Sequence, residues 1–118
     1  MNHSGMRHIH IVVRDLERSV RFYEDAFGME VIHRRPDQVF LRTPGVAEAL
    51  TLKREDSERV GQNGGVDHFG FPLDDPGQLD RAIEEIVAAG GSLIEKGELE
   101  GGIPTAFIED PDGYRIQI

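Results

Sequence analysis

The sequence predicts an α+β fold of two paired βαβββ modules, whose curved mixed sheets surround a cavity and whose helices lie on the outside. Two observations carry this prediction. A motif with histidine followed seven residues later by aspartate begins at His8 and again at His68. After each motif, an amphipathic helical stripe precedes three short strand-like runs. Because a half of about 55 residues buries little core alone, we expect both halves to pair in one domain.

Module one, residues 6–55, begins with a short apolar segment rich in β-branched residues, which predicts a buried strand over His8 to Val13. Asp15 is placed to cap a helix that ends at Gly28. The buried stripe of this helix consists of Leu16, Val20, Tyr23 and Phe27. The three strands that follow are predicted over Met29 to Arg34, Gln38 to Thr43 and Ala49 to Arg54.

A polar, glycine-rich linker over 56–64 leads to module two, residues 65–118. Its first strand is predicted over Val66 to Leu73, and Asp75 with Pro76 starts its helix. The predicted buried stripe consists of Leu79, Ile83, Ile86 and Val87. The remaining strands are predicted over Ser92 to Lys96, Thr105 to Glu109 and Tyr114 to Ile118. The sequence "DPDG", Asp110 to Gly113, is typical of a tight hairpin turn.

Composition limits the chemistry and the partners. The chain has 22 acidic and 13 basic residues, a net charge of −9, which argues against nucleic acid as a partner. Apolar runs are too short to span a membrane and no signal-peptide pattern follows the N-terminus, so we expect a soluble, cytoplasmic protein. Because cysteine is absent, a metal would need nitrogen and oxygen ligands, which suit zinc, nickel, manganese or ferrous iron.

Strand alternation places two histidines on the cavity side. His8 and His10 share one face of their strand, while Ile9, Ile11 and Val13 share the other. His68 occupies the same position in the second module. Imidazole is the commonest metal ligand, so a matched pair of histidines is a candidate metal site. The alternative for each is a partly buried strand residue held by hydrogen bonds.

The last strand of each module adds further candidates. Aligning "ALTL" with "RIQI" sets Thr51 opposite Gln117, with Lys53 on the face of Thr51 and Arg115 on that of Gln117. A glutamine amide oxygen can accept a hydrogen bond or bind a metal, but it cannot act as a general base. The sequence therefore predicts a cavity surface that both final strands supply.

Together, "HIHIVVRDLERSVRFYEDAFGMEV", "DHFGFPLDD" and "FIEDPDGYRIQI" resemble the vicinal oxygen chelate superfamily. That superfamily includes glyoxalase I, bleomycin- and fosfomycin-resistance proteins, methylmalonyl-CoA epimerase and extradiol dioxygenases. The resemblance covers residues 6–118 and implies a homodimer with a divalent metal ion in the cavity. It also implies that the metal acts as a Lewis acid on vicinal oxygens of the substrate.

Residue by residue, the resemblance implies that His8, His68 and Gln117 hold the metal. Gln117 stands where the superfamily usually has glutamate, and Thr51 where the glyoxalase I type has another. With these carboxylates missing, Asp67, His10 or a substrate oxygen would complete the shell, or no metal binds. We expect His10, Thr51, Lys53 and Arg115 to contact substrate.

Three functions remain open. The first is a metal-dependent lyase, isomerase or dioxygenase that acts on a small oxygenated substrate. The second is a metal-free protein that binds and sequesters a small molecule such as an antibiotic, for which the net negative charge favours a cationic ligand. The third is a homodimer with a vestigial cavity and a structural or regulatory role.

Overall fold

The computed structural model describes all 118 residues and has two helices and two four-stranded mixed sheets. Module one contains β1 (His8–Val13), α1 (Leu16–Phe27), β2 (Glu30–Arg35), β3 (Gln38–Arg42) and β4 (Ala49–Arg54). Module two contains β5 (Phe69–Gly70), a 3-10 turn (Pro76–Gln78), α2 (Leu79–Ala88), β6 (Ser92–Leu99), β7 (Ile103–Glu109) and β8 (Arg115–Gln117). The predicted fold class is confirmed. Neither helix has the length and apolar composition needed to cross a bilayer.

Both sheets have the same topology. The strand orders are β1-β4-β3-β2 and β5-β8-β7-β6. In each sheet the first strand pairs in parallel with the last, and the other pairs are antiparallel. His10 is paired with Thr51 in the first sheet, and Gly70 with Gln117 in the second. Each sheet therefore sets its first and last strands side by side, as a site built from both requires.

The helices cover the aliphatic faces of the sheets. On β1, Ile11 and Val13 are buried, whereas His8 and His10 on the opposite face are exposed. One continuous buried cluster contains residues of both modules and of both helices. The side of β1 that carries the histidines is thus left open, as strand alternation predicts.

The predicted helix boundaries depend on local capping. The carboxylate of Asp15 accepts a hydrogen bond of 3.0 Å from the backbone N–H of Arg18, and Gly28 ends the helix with φ of 61°. Asp75 likewise accepts a hydrogen bond of 2.9 Å from the N–H of Gly77. Here Pro76 opens a single 3-10 turn, and the α-helix proper begins at Leu79.

Two predictions for module two are wrong in detail. The strand predicted over Val66 to Leu73 is reduced to Phe69–Gly70, because Val66 closes a turn with Asn63 and Pro72 has no N–H to donate. Val87, predicted in the buried stripe, is 50% exposed. It follows Ile86 by one residue and is therefore rotated by about 100° from the buried face of α2.

The hairpin turn at Asp110 to Gly113 joins the two modules. The N–H of Gly113 donates to the carbonyl of Asp110 at 3.0 Å, which confirms the predicted turn. The side chain of Asp112, only 1% exposed, accepts hydrogen bonds from Arg18 at 2.9 Å and from Ser19 at 3.2 Å. The turn that precedes β8 is therefore fixed to the first part of α1.

Candidate functional site

A cavity of about 530 Å³ lies where the edge strands β1 and β5 approach each other. Its walls come from β1, β4, β5, β8 and the linker between the modules. The polar residues that matter for its chemistry are His10, Lys53, Arg59, His68, Tyr114 and Arg115. Both modules thus supply side chains to one cavity.

His68 belongs to a chain of hydrogen bonds that starts on the surface and ends in the core. Its Nδ1 lies 2.6 Å from the carboxylate of Asp67, and its Nε2 lies 3.1 Å from Oε1 of Gln117. The amide Nε2 of Gln117 donates to Oγ1 of Thr105 at 3.2 Å. Thr105 in turn donates to the carbonyl of Ile118 at 2.7 Å. This chain fixes both the imidazole and the amide in position.

The donors and acceptors of this chain determine the orientation of Gln117. A threonine hydroxyl has one hydrogen, and that of Thr105 is given to a backbone carbonyl. Thr105 must therefore accept from the Gln117 amide, which turns the amide oxygen toward His68. Because that oxygen accepts only, Nε2 of His68 either carries a proton or shares a cation with it. The hydrogen bond from His68 lowers the pKa of Asp67.

His10 lies on the module-one side of the cavity. Its pKa is lowered, first by burial and then by the positive charges of Lys53, His8 and Arg59. A lowered pKa keeps most of this imidazole neutral at pH 7, because the ordinary value is 6.5. His10 can therefore accept a proton from a bound molecule.

Arg115 is held from two sides. Its guanidinium carbon lies 4.1 Å from the ring centroid of Phe107, and its Nη2 donates to Glu95 at 2.9 Å. Phe107 also meets the edge of the His68 ring, with centroids 4.9 Å apart. The Nε–H of Arg115 is buried and has no acceptor within the chain.

The structure brings together four of the seven residues that the sequence predicts for the site. These are His10, Lys53, His68 and Arg115, all in the 530 Å³ cavity. Gln117 touches His68 but lines a neighbouring, mainly apolar cavity of about 310 Å³. His8 lines neither cavity, and Thr51 is only 3% exposed beneath this surface. Within one chain, no three His, Asp or Glu side chains are grouped to hold a metal ion.

Two cavity residues, Arg59 and Tyr114, were not predicted from the sequence. Arg59 lies in the segment interpreted as a spacer, and its hydrogen bonds to Glu55 lower the pKa of that carboxyl to about 2. Tyr114 donates to the carbonyl of Val12 at 2.7 Å, and burial raises its pKa. The one sequence feature that could have indicated that the linker packs against the domain is Val60, an apolar residue inside a polar segment. Val60 is 5% exposed and anchors the segment.

The linker packs closely on the terminal hairpin. Gly61 has φ of 77°, and a Cβ at this position would collide with the backbone carbonyl of Asp112. The close approach of these two segments holds Arg59 against the cavity.

The chain is built from two βαβββ modules with the same topology. In module two, His68 beside the first strand meets Gln117 on the last strand. These features define a class of paired-module proteins. The chain belongs to the glyoxalase/bleomycin resistance protein/dioxygenase superfamily, whose family model matches residues 5–118. The resemblance found in the sequence is therefore confirmed at the level of the superfamily.

Curated relatives include enzymes of two kinds. The chain is 32% identical to a lactoylglutathione lyase from Haemophilus influenzae, over 95% of this chain and 90% of that protein. It is 33% identical to a manganese-dependent 2,3-dihydroxybiphenyl 1,2-dioxygenase from Geobacillus genomosp. 3, over 94% of this chain. It is also 33% identical to a probable chloroplastic lactoylglutathione lyase from Arabidopsis thaliana, over 95% of this chain. The chain spans only 35% of the length of each of the latter two.

Solved structures share the fold. A genomically encoded fosfomycin resistance protein from Listeria monocytogenes superposes with a TM-score of 0.80 at 22% identity, covering 98% of this chain and 92% of that one. A glyoxalase/bleomycin resistance protein/dioxygenase family enzyme from Burkholderia phytofirmans PsJN gives a TM-score of 0.79 at 21% identity, with coverages of 98% and 97%. At these identities the likeness establishes the architecture alone.

Proposed function

We propose that the protein is an enzyme that uses a divalent metal ion, as a lyase, isomerase or dioxygenase, to transform a small oxygenated substrate. One observation carries the proposal: Nε2 of His68 and Oε1 of Gln117 lie 3.1 Å apart and are directed at each other. A hydrogen-bonded carboxylate behind a metal-binding imidazole is a common feature of metal sites, and Asp67 occupies that position.

The residues present fit a divalent ion as part of a ligand set. His68 and Gln117 supply one nitrogen and one neutral oxygen, and Thr105 fixes the amide that provides the oxygen. Zinc, nickel, manganese and ferrous iron accept such ligands. When bound, the metal would supply Lewis-acid polarisation of substrate oxygens.

The third protein ligand would come from a second copy of the chain. His8 is exposed on the open face of β1 and is absent from the cavity that holds His68. We therefore propose a homodimer in which His8 of one copy completes the pair formed by His68 and Gln117 of the other. Homodimers are common among symmetric oligomers. In this dimer, the open sheet face that carries His8 in each copy would be covered by the other copy.

Within this site, His10 is the candidate proton acceptor. Gln117 cannot take a proton at neutral pH, whereas His10 is largely neutral and lines the cavity. Lys53 lies on the neighbouring strand β4, opposite Val12 and thus two residue pairs beyond His10, and contributes positive charge near a developing anion.

Metal titration tests the proposal. Protein stripped with a chelator and desalted is titrated with nickel, zinc, manganese and, without oxygen, ferrous iron. We expect about one equivalent to bind per chain, and His68→Ala and Gln117→Ala to lower the affinity about tenfold or more. His33→Ala, which removes an imidazole from β2 outside the cavity, serves as the matched control. Uptake of a small fraction of an equivalent, or equal uptake by all variants, contradicts the proposal.

The second candidate is a metal-free protein that binds a small molecule. It is favoured by the hydrogen-bond chain itself, because each side-chain nitrogen and oxygen of His68, Gln117 and Thr105 has a partner within the chain. A ligand that binds stripped protein and metal-treated protein with equal affinity would support this candidate.

A further inference from the structure

The cavity between the modules has the opposite charge to the chain as a whole. The chain carries a net charge of −9, yet Lys53, Arg59 and Arg115 line the cavity together with two histidines, and no aspartate or glutamate does. A cationic ligand, which the net charge favours, would meet no acidic side chain in the lining of this cavity. The lining instead suits a negatively charged molecule.

The three cations differ in how far their charge is already offset. Arg59 forms hydrogen bonds to both carboxylate oxygens of Glu55, and Arg115 is paired with Glu95 at 2.9 Å. Lys53 has no carboxylate within ion-pair distance. Its ammonium is therefore the charge in the cavity that is free to bind a ligand.

Arg115 adds a rigid set of donors from the other module. The ring of Phe107 and the carboxylate of Glu95 fix the guanidinium plane, so little conformational entropy is lost when a ligand binds. A guanidinium has five N–H donors, and Nη2 alone is used within the chain. The Nε–H is buried, so the donors left for an oxyanion are those of the Nη groups, on a side chain that is 31% exposed.

We infer that the cavity recognises its substrate through an anionic oxygen group, a carboxylate or a phosphate, held between Lys53 of module one and Arg115 of module two. This inference rests on the proposed function, because it specifies the substrate of the same site. Arg115 and Gln117 lie on one face of β8 and are two residues apart, about 7 Å at the usual strand rise. The anionic group is therefore held beside the part of the substrate that meets His68, which lines the same cavity.

NMR titration of metal-free, desalted protein at constant ionic strength tests the inference. The probes are inorganic phosphate, glycolate and glycolamide, the neutral amide that matches glycolate in size. We expect saturable shifts of the His10 and His68 ring signals with at least one anion and none with glycolamide. The tighter anion identifies the group as phosphate or carboxylate.

The variant Lys53→Met removes the ammonium and keeps most of the aliphatic chain. We expect it to weaken binding of the anion about tenfold or more. Lys96→Met is the matched control, because Lys96 lies on β6, is paired with Asp80 and does not line the cavity. Equal binding of glycolate and glycolamide, no binding of either anion, or equal effects of the two lysine variants would each overturn the inference.

The two proposals fail separately. Anion binding without metal uptake would contradict the metal-dependent function and leave the anion site in place. Metal uptake that depends on His68, without any anion binding, would contradict the anion site alone.

Discussion

The hydroxyl of Tyr23 on α1 donates a hydrogen bond of 2.7 Å to the carboxylate of Asp110 at the end of β7, and both side chains are buried. The other oxygen of the same carboxylate accepts from the backbone N–H groups of Asp112 and Tyr114 at 2.9 Å each. One side chain therefore shapes the turn before β8 and ties it to the first module. Since β8 carries Arg115 and Gln117, this bond also positions the site.

Removal of the Tyr23 hydroxyl should destabilise the fold. In Tyr23→Phe, a buried carboxylate loses one of its partners, so we expect the free energy of unfolding to fall by about 1–3 kcal/mol. Urea denaturation measures this loss. In an Asp110→Asn background the same substitution should cost clearly less, because the charged acceptor is gone. Equal losses in the two backgrounds would mean that the bond contributes nothing specific.

The same carboxyl should make stability depend on pH. Burial raises the pKa of Asp110, and hydrogen bonds from Tyr23, Tyr114 and Asp112 offset part of that rise. The folded protein thus binds this proton more tightly than the unfolded chain does. The resulting stabilisation is fully present below the ordinary value of 3.8 and is lost as pH rises through the folded pKa.

The measurement compares the wild-type protein with Asp110→Asn. Relative to this variant, the free energy of unfolding of the wild type should decrease from about pH 4 upward until the folded carboxyl is ionised. In Tyr23→Phe the decrease should extend to higher pH, because a bond that lowers the pKa is missing. A difference between wild type and Asp110→Asn that stays constant over this range would contradict the assignment.

The linker should tolerate alanine at Gly64 better than at Gly61. Both glycines have positive φ, 58° and 77°, so alanine costs about 1–2 kcal/mol of backbone strain at either. At Gly61 the new methyl group would also collide with the carbonyl of Asp112, whereas nothing lies near that of Gly64. We expect Gly61→Ala to lose at least about 1 kcal/mol more in urea denaturation. Losses of equal size would show that the linker can move away from the hairpin.

The sequence predicts what depends on local periodicity. The repeated order of elements, the Asp15 cap and the open histidine face of β1 all follow from spacing along the chain, and the structure has each of them. The approach of His68 to Gln117 follows from the parallel pairing of β5 with β8, and in the sequence it is implied only by the resemblance to the superfamily.

Sequence patterns do not predict features that depend on packing between distant segments. Arg59 reaches the cavity because Gly61 packs on the backbone of Asp112, and no local pattern in the linker indicates that contact. His8 lies outside the cavity that His68 lines because of the relative orientation of the two sheets. Strand alternation does not determine that orientation. The charge of the cavity likewise depends on which few residues line it rather than on the net charge of the chain.

The substitution Gln117→Glu tests the glutamine as a metal ligand. A carboxylate in place of the amide oxygen should tighten binding of divalent metal about tenfold or more, because the charge of the ion is then partly neutralised. The change also has a cost: the hydroxyl of Thr105 already donates to Ile118, so its oxygen would face a carboxylate oxygen. We therefore expect metal-free Gln117→Glu to be less stable than the wild type and metal-loaded Gln117→Glu to recover that stability.

Gln62→Glu is the control for this experiment, since it adds the same charge from the linker, in the adjoining cavity that His68 lines. If the metal binds more tightly only in Gln117→Glu, the position itself is a ligand, because charge alone acts in both variants. If metal affinity rises equally in the two variants, the added negative charge near the cavity explains the rise, and coordination by residue 117 does not. Unchanged affinity in Gln117→Glu would count against Gln117 as a ligand and would favour the metal-free binding protein, in which the amide serves only to hold His68.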